Sequence, residues 1–253
     1  MSKKDDRINE TRVNNNGEEM KIIRYGGVND IDIQFVKDGV ILQHRHYCAF
    51  KTGQIKNPMF PSVYGVGFVG VGDYKTCDGN GKNRKRYDTW KGMHERCYDP
   101  KYHKKHSTYK DCTVCKEWNN YQMFGKWFDI NYYEIGNEQM VLDKDILCKG
   151  NKTYSPDTCV FVPQSINKLF TKRDNERGEL PIGVSKVGNK FQAQLTRGNG
   201  LEYLGVFNTV NEAFLAYKEA KEQYIKEVAE EYKGKIPFKL YQAMLNYKVE
   251  IDD

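Results

Sequence analysis

Residues 140–167 contain the pattern that most constrains the fold of this chain. Met140–Leu147 has apolar residues on both sides of a polar centre and is typical of a strand. Cys148–Asp157 contains Gly, Asn, Ser and Pro and has the composition of a turn, and Thr158–Val162 is a second, β-branched and aromatic strand. Pro163 suits the first turn of a helix that carries Asn167. The pattern predicts a β-hairpin packed on a short helix.

Oxygen-bearing side chains stand at the end of the first predicted strand and on this helix. Asp143 begins the polar triplet Asp143-Lys144-Asp145. Its carboxylate and the amide of Asn167 can point into the same gap, where they offer the oxygen ligands that Mg²⁺ takes in proteins. A metal ion with open water positions can stabilise the transition state of phosphodiester cleavage. The alternative is that the triplet is an ordinary solvated turn, because short motifs have many false positives.

The segment resembles the ββα-metal fold of HNH and recombination-endonuclease-VII-like nucleases, whose first strand reads Asp-His or Asp-His-Asp and whose helix ends in Asn. The resemblance implies that Asp143 and Asn167 bind Mg²⁺ or Mn²⁺, and that Asn151 is the structural Asn of the loop. It further implies a metal-dependent DNA endonuclease of the phage homing type, which hydrolyses phosphodiester bonds in duplex DNA.

One position departs from the family pattern. Lys144 stands where the general-base His is expected, and no His follows His106. A Lys, with a reference pKa of about 10.4, is a poor base at neutral pH unless burial lowers its pKa. Two alternatives stay open: Lys144 binds the phosphate while Asp145 or a metal-bound water supplies the base, or the site is inactive.

The C-terminal part predicts a three-stranded sheet followed by a long helix. The strands are Ile182–Ser185, Lys190–Leu195 and Tyr203–Phe207, separated by Gly-Asn turns. The helix runs from about Thr209 to Tyr232, because Thr209 and Glu212 have the spacing of a capping box and apolar residues follow at helical intervals.

This region resembles the ethylene-response-factor (Apetala-type) DNA-binding domain through the pattern GVS, KFQAQL and YLGVFNTVNEAFLAYKEA. The resemblance implies that outward residues of the sheet enter the major groove of DNA, where Gln and Arg read base edges and Lys contacts phosphate. The residues expected to do so are Lys186, Lys190, Gln192, Gln194 and Arg197. The alternative is a small α+β domain with an ordinary polar sheet face.

A basic, aromatic-rich stretch between Tyr74 and Lys116 predicts a second phosphate-binding surface. From Lys75 to Lys116 it has 12 Lys or Arg against 5 Asp or Glu, about the excess of the whole chain. Arg84, Lys85 and Arg86 are its DNA-binding candidates, and a solvated helix and loop is the alternative.

Two helices are predicted around this stretch, and both carry apolar residues on an inner face. Asp88–Tyr98 would bury Trp90, Met93 and Cys97, and Val114–Phe128 would bury Trp118, Tyr121, Phe124 and Phe128. Their pattern resembles the helical lead-in of phage-encoded HNH proteins.

The N-terminal part divides into a polar segment and a β module. Met1–Glu19 is interpreted as a mobile tail, and residues 20–72 alternate as short strands. The module resembles the N-terminal modules of phage HNH proteins that assist DNA binding; the alternative is that it only packs beside the nuclease core. His44 and His46 are expected on one strand face, without further metal ligands.

The seven cysteines leave a structural zinc ion as an alternative. Cys112 and Cys115 form half of a zinc-binding arrangement, but Cys97, Cys148 and Cys159 provide no second close pair. An odd number of cysteines without a signal peptide favours a reducing cytoplasm.

Length and composition complete the predicted organisation of the 253-residue chain as an α+β protein. The expected regions are a tail 1–19, a β module 20–72, an HNH-like nuclease domain 73–170, a linker 171–181 and a DNA-binding domain 182–253. No apolar run reaches the length of a membrane span. A pI of about 8.7 favours a polyanionic partner, here double-stranded DNA.

Two hypotheses of different class follow. The first is the metal-dependent DNA endonuclease. The second, motivated by Lys144, is a catalytically inactive DNA-binding protein built from the same parts, or a phage protein that acts on a host defence protein.

Overall fold

The computed structural model describes residues 7–77, 81–171, 180–198 and 200–251. Helices and strands are mixed along the chain, as the α+β prediction requires. The chain divides into two compact units, Met1–Lys110 with Val114–Lys126, and Asp111–Thr113 with Trp127–Asp253. No helix of the described ranges combines the length and the apolar character that a membrane span needs.

The first unit begins with an antiparallel sheet in which four strands lie in chain order. The strands and the helix that follows are β1 (Thr11–Val13), β2 (Glu19–Gly27), β3 (Asp30–Phe35), β4 (Ile41–Arg45) and α1 (Tyr47–Lys51). Alternate residues of β2 and β3 are buried with Phe50 of α1 and form an apolar core. The predicted β module is therefore present, although His46 follows β4 rather than sharing a strand face with His44.

The interpretation of Met1–Glu19 as a mobile tail is wrong for the residues from Thr11 onward. β1 pairs with β2, and Asn14 is only 5% exposed. Its Oδ1 accepts hydrogen bonds from the N–H groups of Asn16 and Glu18, each at 2.9 Å, and its Nδ2 donates to the carbonyl of Ile55 at 3.2 Å. A polar segment is thus held in place by one buried side chain. Residues 1–6 lie outside the described ranges.

The first unit also contains helices. It contains α2 (Gly81–Tyr98), α3 (Pro100–Lys105) and two 3-10 turns, Ser107–Tyr109 and Lys116–Asn119. Trp90, Met93 and Cys97 are buried on α2, as predicted. The predicted helix Val114–Phe128 is instead strand β5 (Thr113–Val114), the second 3-10 turn and α4 (Tyr121–Asn131). The aromatic residues predicted to be inward are buried as expected: Trp118, Tyr121, Phe124 and Phe128.

The second unit contains the predicted hairpin. Its elements are β6 (Met140–Asp143), β7 (Thr153–Tyr154), β8 (Val160–Pro163), α5 (Gln164–Asn167) and a 3-10 turn, Lys168–Phe170. β6 pairs with β8 in antiparallel register, Met140 opposite Pro163 and Asp143 opposite Val160. The first predicted strand ends earlier than expected, because residues after Asp143 turn back into the loop. Pro163 precedes α5 as its N-cap residue.

The C-terminal elements are three strands and two helices: β9 (Val184–Val187), β10 (Lys190–Arg197), β11 (Gly200–Phe207), α6 (Val210–Glu231) and α7 (Phe238–Asn246). The predicted capping box is confirmed: Thr209 Oγ1 accepts from the N–H of Glu212 at 3.2 Å, and Glu212 accepts from the N–H of Thr209 at 3.1 Å. Helix α7 was not predicted. Residues 172–179 of the predicted linker lie outside the described ranges.

Helix α6 contributes residues to two apolar cores of the second unit. The first half of α6 packs on the sheet through Ala213, Phe214 and Tyr217. Its second half, with Ile225 and Val228, packs on α7 and on the hairpin residues of β8 and α5. The hairpin and the C-terminal helices therefore share a core. Because of this sharing, the compact units do not follow the predicted domains 73–170 and 182–253.

Candidate metal centre and nucleic-acid surface

The end of β6 places Asp143 where the hairpin turns into its loop. Its Oδ1 accepts hydrogen bonds from the backbone N–H groups of Asp145 at 2.9 Å and of Ile146 at 2.7 Å, so the carboxylate fixes the turn. Burial, and then the negative charge of Asp145, raise the pKa of Asp143 to about 6, although the two N–H donors oppose this shift. The side chain is thus an incompletely neutralised, half-buried carboxylate.

Lys144 points into the hairpin rather than away from it. The residue is 7% exposed, and its Nζ lies 2.9 Å from Asp145 Oδ2 and 3.0 Å from the carbonyl oxygen of Asn151. The ring of Tyr154 lies 6.0 Å from the same ammonium. Lys144 therefore braces the loop, and its ammonium would have to leave these contacts to reach a phosphate or to act as a base.

Asn151 holds the other side of the loop through its side chain. Its Nδ2 donates to the carbonyl oxygens of Lys144 and Thr153, both at 2.7 Å, and its Oδ1 accepts from the N–H of Thr153 at 3.2 Å. Asp143, Lys144, Asp145 and Asn151 thus form one hydrogen-bonded network.

Asn167 is the last residue of α5 and is half-buried. Helix α5 packs against both β6 and β8, which brings the hairpin and the helix into one ββα arrangement. The carbonyl of Asn167 accepts a hydrogen bond from Thr171 Oγ1 at 3.3 Å. The predicted ligand pair is therefore carried by elements that contact each other.

A different acidic cluster lies on the N-terminal sheet, and the sequence analysis did not find it. Single oxygens of Asp30 and Asp32 and a ring nitrogen of His44 lie within 4.8 Å of one another, the one group of three potential metal ligands within the described ranges. Arg24, however, donates to all four carboxylate oxygens at 2.6 to 3.0 Å. The guanidinium takes the place that a cation would need, so the cluster is an internal ion pair.

The cysteines do not assemble a comparable group. Cys97, Cys112 and Cys159 are buried, Cys115 is half-buried, and Cys148 is exposed. Burial raises the pKa of Cys112, which disfavours the thiolate that zinc requires. The zinc alternative thus gains no set of three ligands from the part of the chain that the structure describes.

The C-terminal sheet separates the five predicted DNA-binding residues onto two faces. Lys190, Gln192 and Gln194 alternate with the buried Ala193 and Leu195, and therefore point away from α6. Lys186 pairs with Phe191, which places it on the helix side at the sheet edge.

Arg197 is the second residue on the helix side. It is bound to Glu227 of α6, and its guanidinium carbon lies 4.7 Å from the centre of the Tyr224 ring. For Lys186 and Arg197, the expected outward direction is wrong, because strand alternation puts them opposite Gln192 and Gln194.

Three apolar residues complete the outward face and were missed as candidates. Gln192 pairs with Val206, Gln194 with Tyr203, and Thr196 with Leu201. Directly paired residues share a face, and these three are exposed, Tyr203 by 62%. Their direction was hidden because the register shifts between Ala193 and Gln194, so that Leu204 is skipped and the alternation changes phase.

The basic helix α2 contributes only part of its predicted surface. Arg84 and Lys85 are exposed, and Arg84 lies 3.6 Å from Asp88 one turn later. Arg86 is buried: its guanidinium carbon lies 4.6 Å from the centre of the Tyr74 ring, and it donates to Asn83 at 2.6 Å. The exposed-surface interpretation is therefore wrong for Arg86, which packs within the first unit.

No protein-family model matches the chain, and neither a curated protein nor a solved structure matches it. Its function is therefore inferred from its own residues.

Proposed function

We propose that the protein is a metal-dependent DNA endonuclease of the HNH type, in which Asp143 provides the carboxylate ligand of the metal. The observation that carries this proposal is the position of Asp143 at the end of β6, where both backbone hydrogen bonds to its carboxylate fall on Oδ1. Burial and the negative charge of Asp145 raise the pKa of Asp143 to about 6, so the ionised Asp143 carboxylate is unfavourable in its surroundings, although the Lys144 ammonium bonds to Asp145. A divalent cation would remove that repulsion, and oxygen donors are what Mg²⁺ and Mn²⁺ prefer.

The donor set fits such an ion. Both backbone hydrogen bonds to Asp143 fall on Oδ1, so its second carboxylate oxygen can serve as a ligand. The amide oxygen of Asn167, on the helix packed against the hairpin, would be the second protein ligand. When bound, the cation supplies Lewis-acid stabilisation of the charge that develops on the scissile phosphate.

The chain's own residues set the geometry of this centre. Asn151 and Lys144 fix the loop, which keeps the Asp143 carboxylate in one orientation. Asp145 is half-exposed and bound to the Lys144 ammonium. Lys144 therefore acts as a positioning residue that holds Asp145, and the proton acceptor of the reaction is a group other than Lys144.

Recognition of duplex DNA is assigned to the outward face of β9–β11. The amides of Gln192 and Gln194 can pair with base edges, Lys190 can contact phosphate, and Leu201, Tyr203 and Val206 offer apolar contacts of the kind made to thymine methyl groups.

A second candidate function, DNA binding without cleavage, is favoured by one observation. The residue at the family's general-base position is a buried ammonium that is engaged inside the hairpin. A protein of this kind would bind duplex DNA in a salt-dependent manner and would be insensitive to chelators. A host protein as partner belongs to this second candidate.

A supercoiled-plasmid assay with Mg²⁺ or Mn²⁺ tests both candidates. Wild type, Asp143→Ala and Lys144→His are compared with Asp157→Ala, an exposed Asp of the same hairpin that serves as the matched control. Cleavage by wild type and Asp157→Ala, lost in Asp143→Ala, is the expected result. Unchanged cleavage by Asp143→Ala would overturn the first candidate, and cleavage by Lys144→His alone would establish the second.

A further inference from the structure

A groove of about 340 Å³ lies beside the hairpin within the second unit. One wall is the end of α4 and the residues after it, with Ile130 and Tyr132; the floor is Val160 and Phe161 of β8; the opposite wall is Lys235, Pro237 and Lys239. None of these residues has a role in the metal centre described above.

The lining of the groove is partly aromatic and apolar. The ring of Tyr132 is stacked on Phe128, with 4.6 Å between centres and 7° between planes, and it meets Phe161 edge-on at 5.1 Å. Tyr133 donates from its hydroxyl to the carbonyl oxygen of Phe161 at 2.8 Å, which ties the α4 side to β8. Ile130, 75% exposed, stands at the rim. Such a surface suits a flat, partly apolar ring.

The charge of the groove has one sign. Its two basic side chains are the exposed lysines Lys235 and Lys239, and its lining contains no Asp or Glu. Lys239 is held over β8 by a hydrogen bond from Nζ to the carbonyl oxygen of Cys159 at 3.3 Å. An anionic group is therefore the complementary ligand for this side.

The size and position of the groove further limit the class of ligand that it can bind. The volume lies at the lower end of the range of about 300 to 1,000 Å³ found for small-molecule sites, so the groove admits one ring system with one anionic group. Its floor residues Val160 and Phe161 pair directly with Asp143 and Leu142 of β6. The groove is lined by β8, and β6, the strand that carries Asp143, is paired with β8 at the usual strand spacing of about 4.8 Å.

We propose that this groove binds one nucleotide of an unpaired DNA strand, with its phosphate at Lys235 and Lys239 and its base against the wall of Ile130 and Tyr132. This inference rests on the proposed function, because it takes DNA as the ligand and Asp143 as the nearby metal ligand. The outward sheet face then holds duplex, while the groove holds the strand that leaves it.

The test is fluorescence anisotropy with a labelled oligothymidylate in the presence of a chelator, so that binding is measured without cleavage. The double variant Lys235→Gln, Lys239→Gln is compared with Lys226→Gln, Lys233→Gln, which removes the same charge from outside the groove. We expect the groove variant to bind about tenfold more weakly and its salt slope to fall by about 1, with less than a twofold change for the control.

A second pair of variants tests the apolar wall without disturbing the core. Ile130→Glu places a carboxylate at the rim and should weaken oligothymidylate binding, whereas Leu215→Glu, at another exposed apolar position, should not. Equal losses in the groove and control variants, or none in either, would overturn the proposal. Competition by thymidine monophosphate as strong as that by the oligonucleotide would also overturn it, in favour of a free nucleotide as ligand.

The two proposals can fail separately. Plasmid cleavage that depends on Asp143, together with oligothymidylate binding that does not depend on Lys235 and Lys239, would support the endonuclease proposal and overturn the groove proposal. Oligothymidylate binding that depends on Lys235 and Lys239, without cleavage by any variant, would support the groove proposal and overturn the endonuclease proposal.

Discussion

Two pairs of aspartates in this chain have similar residues and opposite electrostatics. In the N-terminal sheet, Arg24 bonds to every carboxylate oxygen of Asp30 and Asp32, and it lowers the pKa of both, that of Asp30 to about 2. In the hairpin, burial and Asp145 raise the pKa of Asp143 to about 6. Arg24 neutralises both members of the first pair, whereas in the second pair the Lys144 ammonium bonds to Asp145 and the pKa of Asp143 stays raised.

The difference shows why proximity of ligands is a poor criterion for a metal site. The Asp30, Asp32 and His44 atoms are close enough to hold a cation, but a cation would first have to displace a guanidinium with four hydrogen bonds. At Asp143, a cation would instead relieve repulsion that the fold leaves in place. The hairpin is therefore the better candidate for a metal centre, although its donors are fewer.

The largest effect that separates the two pairs is expected in Mn²⁺ binding. Asp143→Asn should weaken Mn²⁺ binding by about a hundredfold or more, because it removes the charged ligand, whereas Asp32→Asn should leave it unchanged. Isothermal titration calorimetry on the full chain gives both affinities. An Mn²⁺ site that survives Asp143→Asn but disappears in Asp32→Asn would reverse the comparison.

The next effect concerns the loop that positions Asp143. Asn151→Ala removes two donated hydrogen bonds and one accepted bond within the hairpin, and should lower the free energy of unfolding by about 2 kcal/mol. Urea denaturation measures this, with Asn246→Ala as control, since the Asn246 side chain makes one exposed bond to the carbonyl of Gln242. Equal small losses in both variants would show that the loop does not depend on Asn151.

Lys221 is a largely buried cation without a counter-charge in the part of the chain that the structure describes. It lies on the core-facing side of α6 between Tyr217 and Ile225, and no carboxylate in the described ranges pairs with it. Burial lowers the pKa of its ammonium from 10.5 to about 8. Lys221→Met should therefore raise the free energy of unfolding at neutral pH by roughly 1 to 2 kcal/mol.

The pH dependence of this effect has a definite sign. Between pH 8 and 10.5 the unfolded chain binds more protons at Lys221 than the folded chain, so wild-type stability rises with pH over that window. The advantage of Lys221→Met should be complete below about pH 8 and vanish as pH approaches 10.5. Thermal unfolding of wild type, Lys221→Met and Lys226→Met at several pH values checks it, and a constant difference would contradict the assignment.

The smallest effect is expected for the neutralised pair. Arg24→Gln should lower Tm only slightly at neutral pH, because the side chains of Arg24 and Asp30 are 42% and 43% exposed, although that of Asp32 is only 10% exposed. The folded pKa of Asp30 is lowered, so its contribution is complete above the unfolded value of 3.8 and is lost as pH falls to about 2. The variant should also gain weak Mn²⁺ binding at Asp30, Asp32 and His44. Failure to gain it would show that Arg24 is not what excludes a cation there.

Local signals in the sequence were sufficient for much of the fold. The hairpin, the sheet of three strands and the capping box at Thr209 follow from turn residues, alternation and a three-residue spacing. Helix α7 was missed although Leu240 and Met244, both buried, have helical spacing after Pro237. A signal for this helix was therefore available in the sequence.

The direction in which an individual charged side chain points could not be predicted from local sequence signals. Arg197 and Gln194 lie three residues apart in one strand, yet the first binds Glu227 of α6 and the second points outward. Arg86 was predicted to be exposed like Arg84 and Lys85, but its guanidinium packs on the ring of Tyr74. Lys144 is at the position where a general base was expected, but its ammonium instead bonds to Asp145 and to the carbonyl oxygen of Asn151.

The sequence by itself determined most of the strands and helices, since periodicity, turns and caps depend on residues only a few positions apart. Tertiary structure alone decided which charges are neutralised, and that the hairpin shares its core with α6 and α7. The physical reason is that burial and charge compensation depend on partners far apart in the chain, as Val160 is from Ile225. The free energy of a charged side chain is therefore set by surroundings that no local pattern contains.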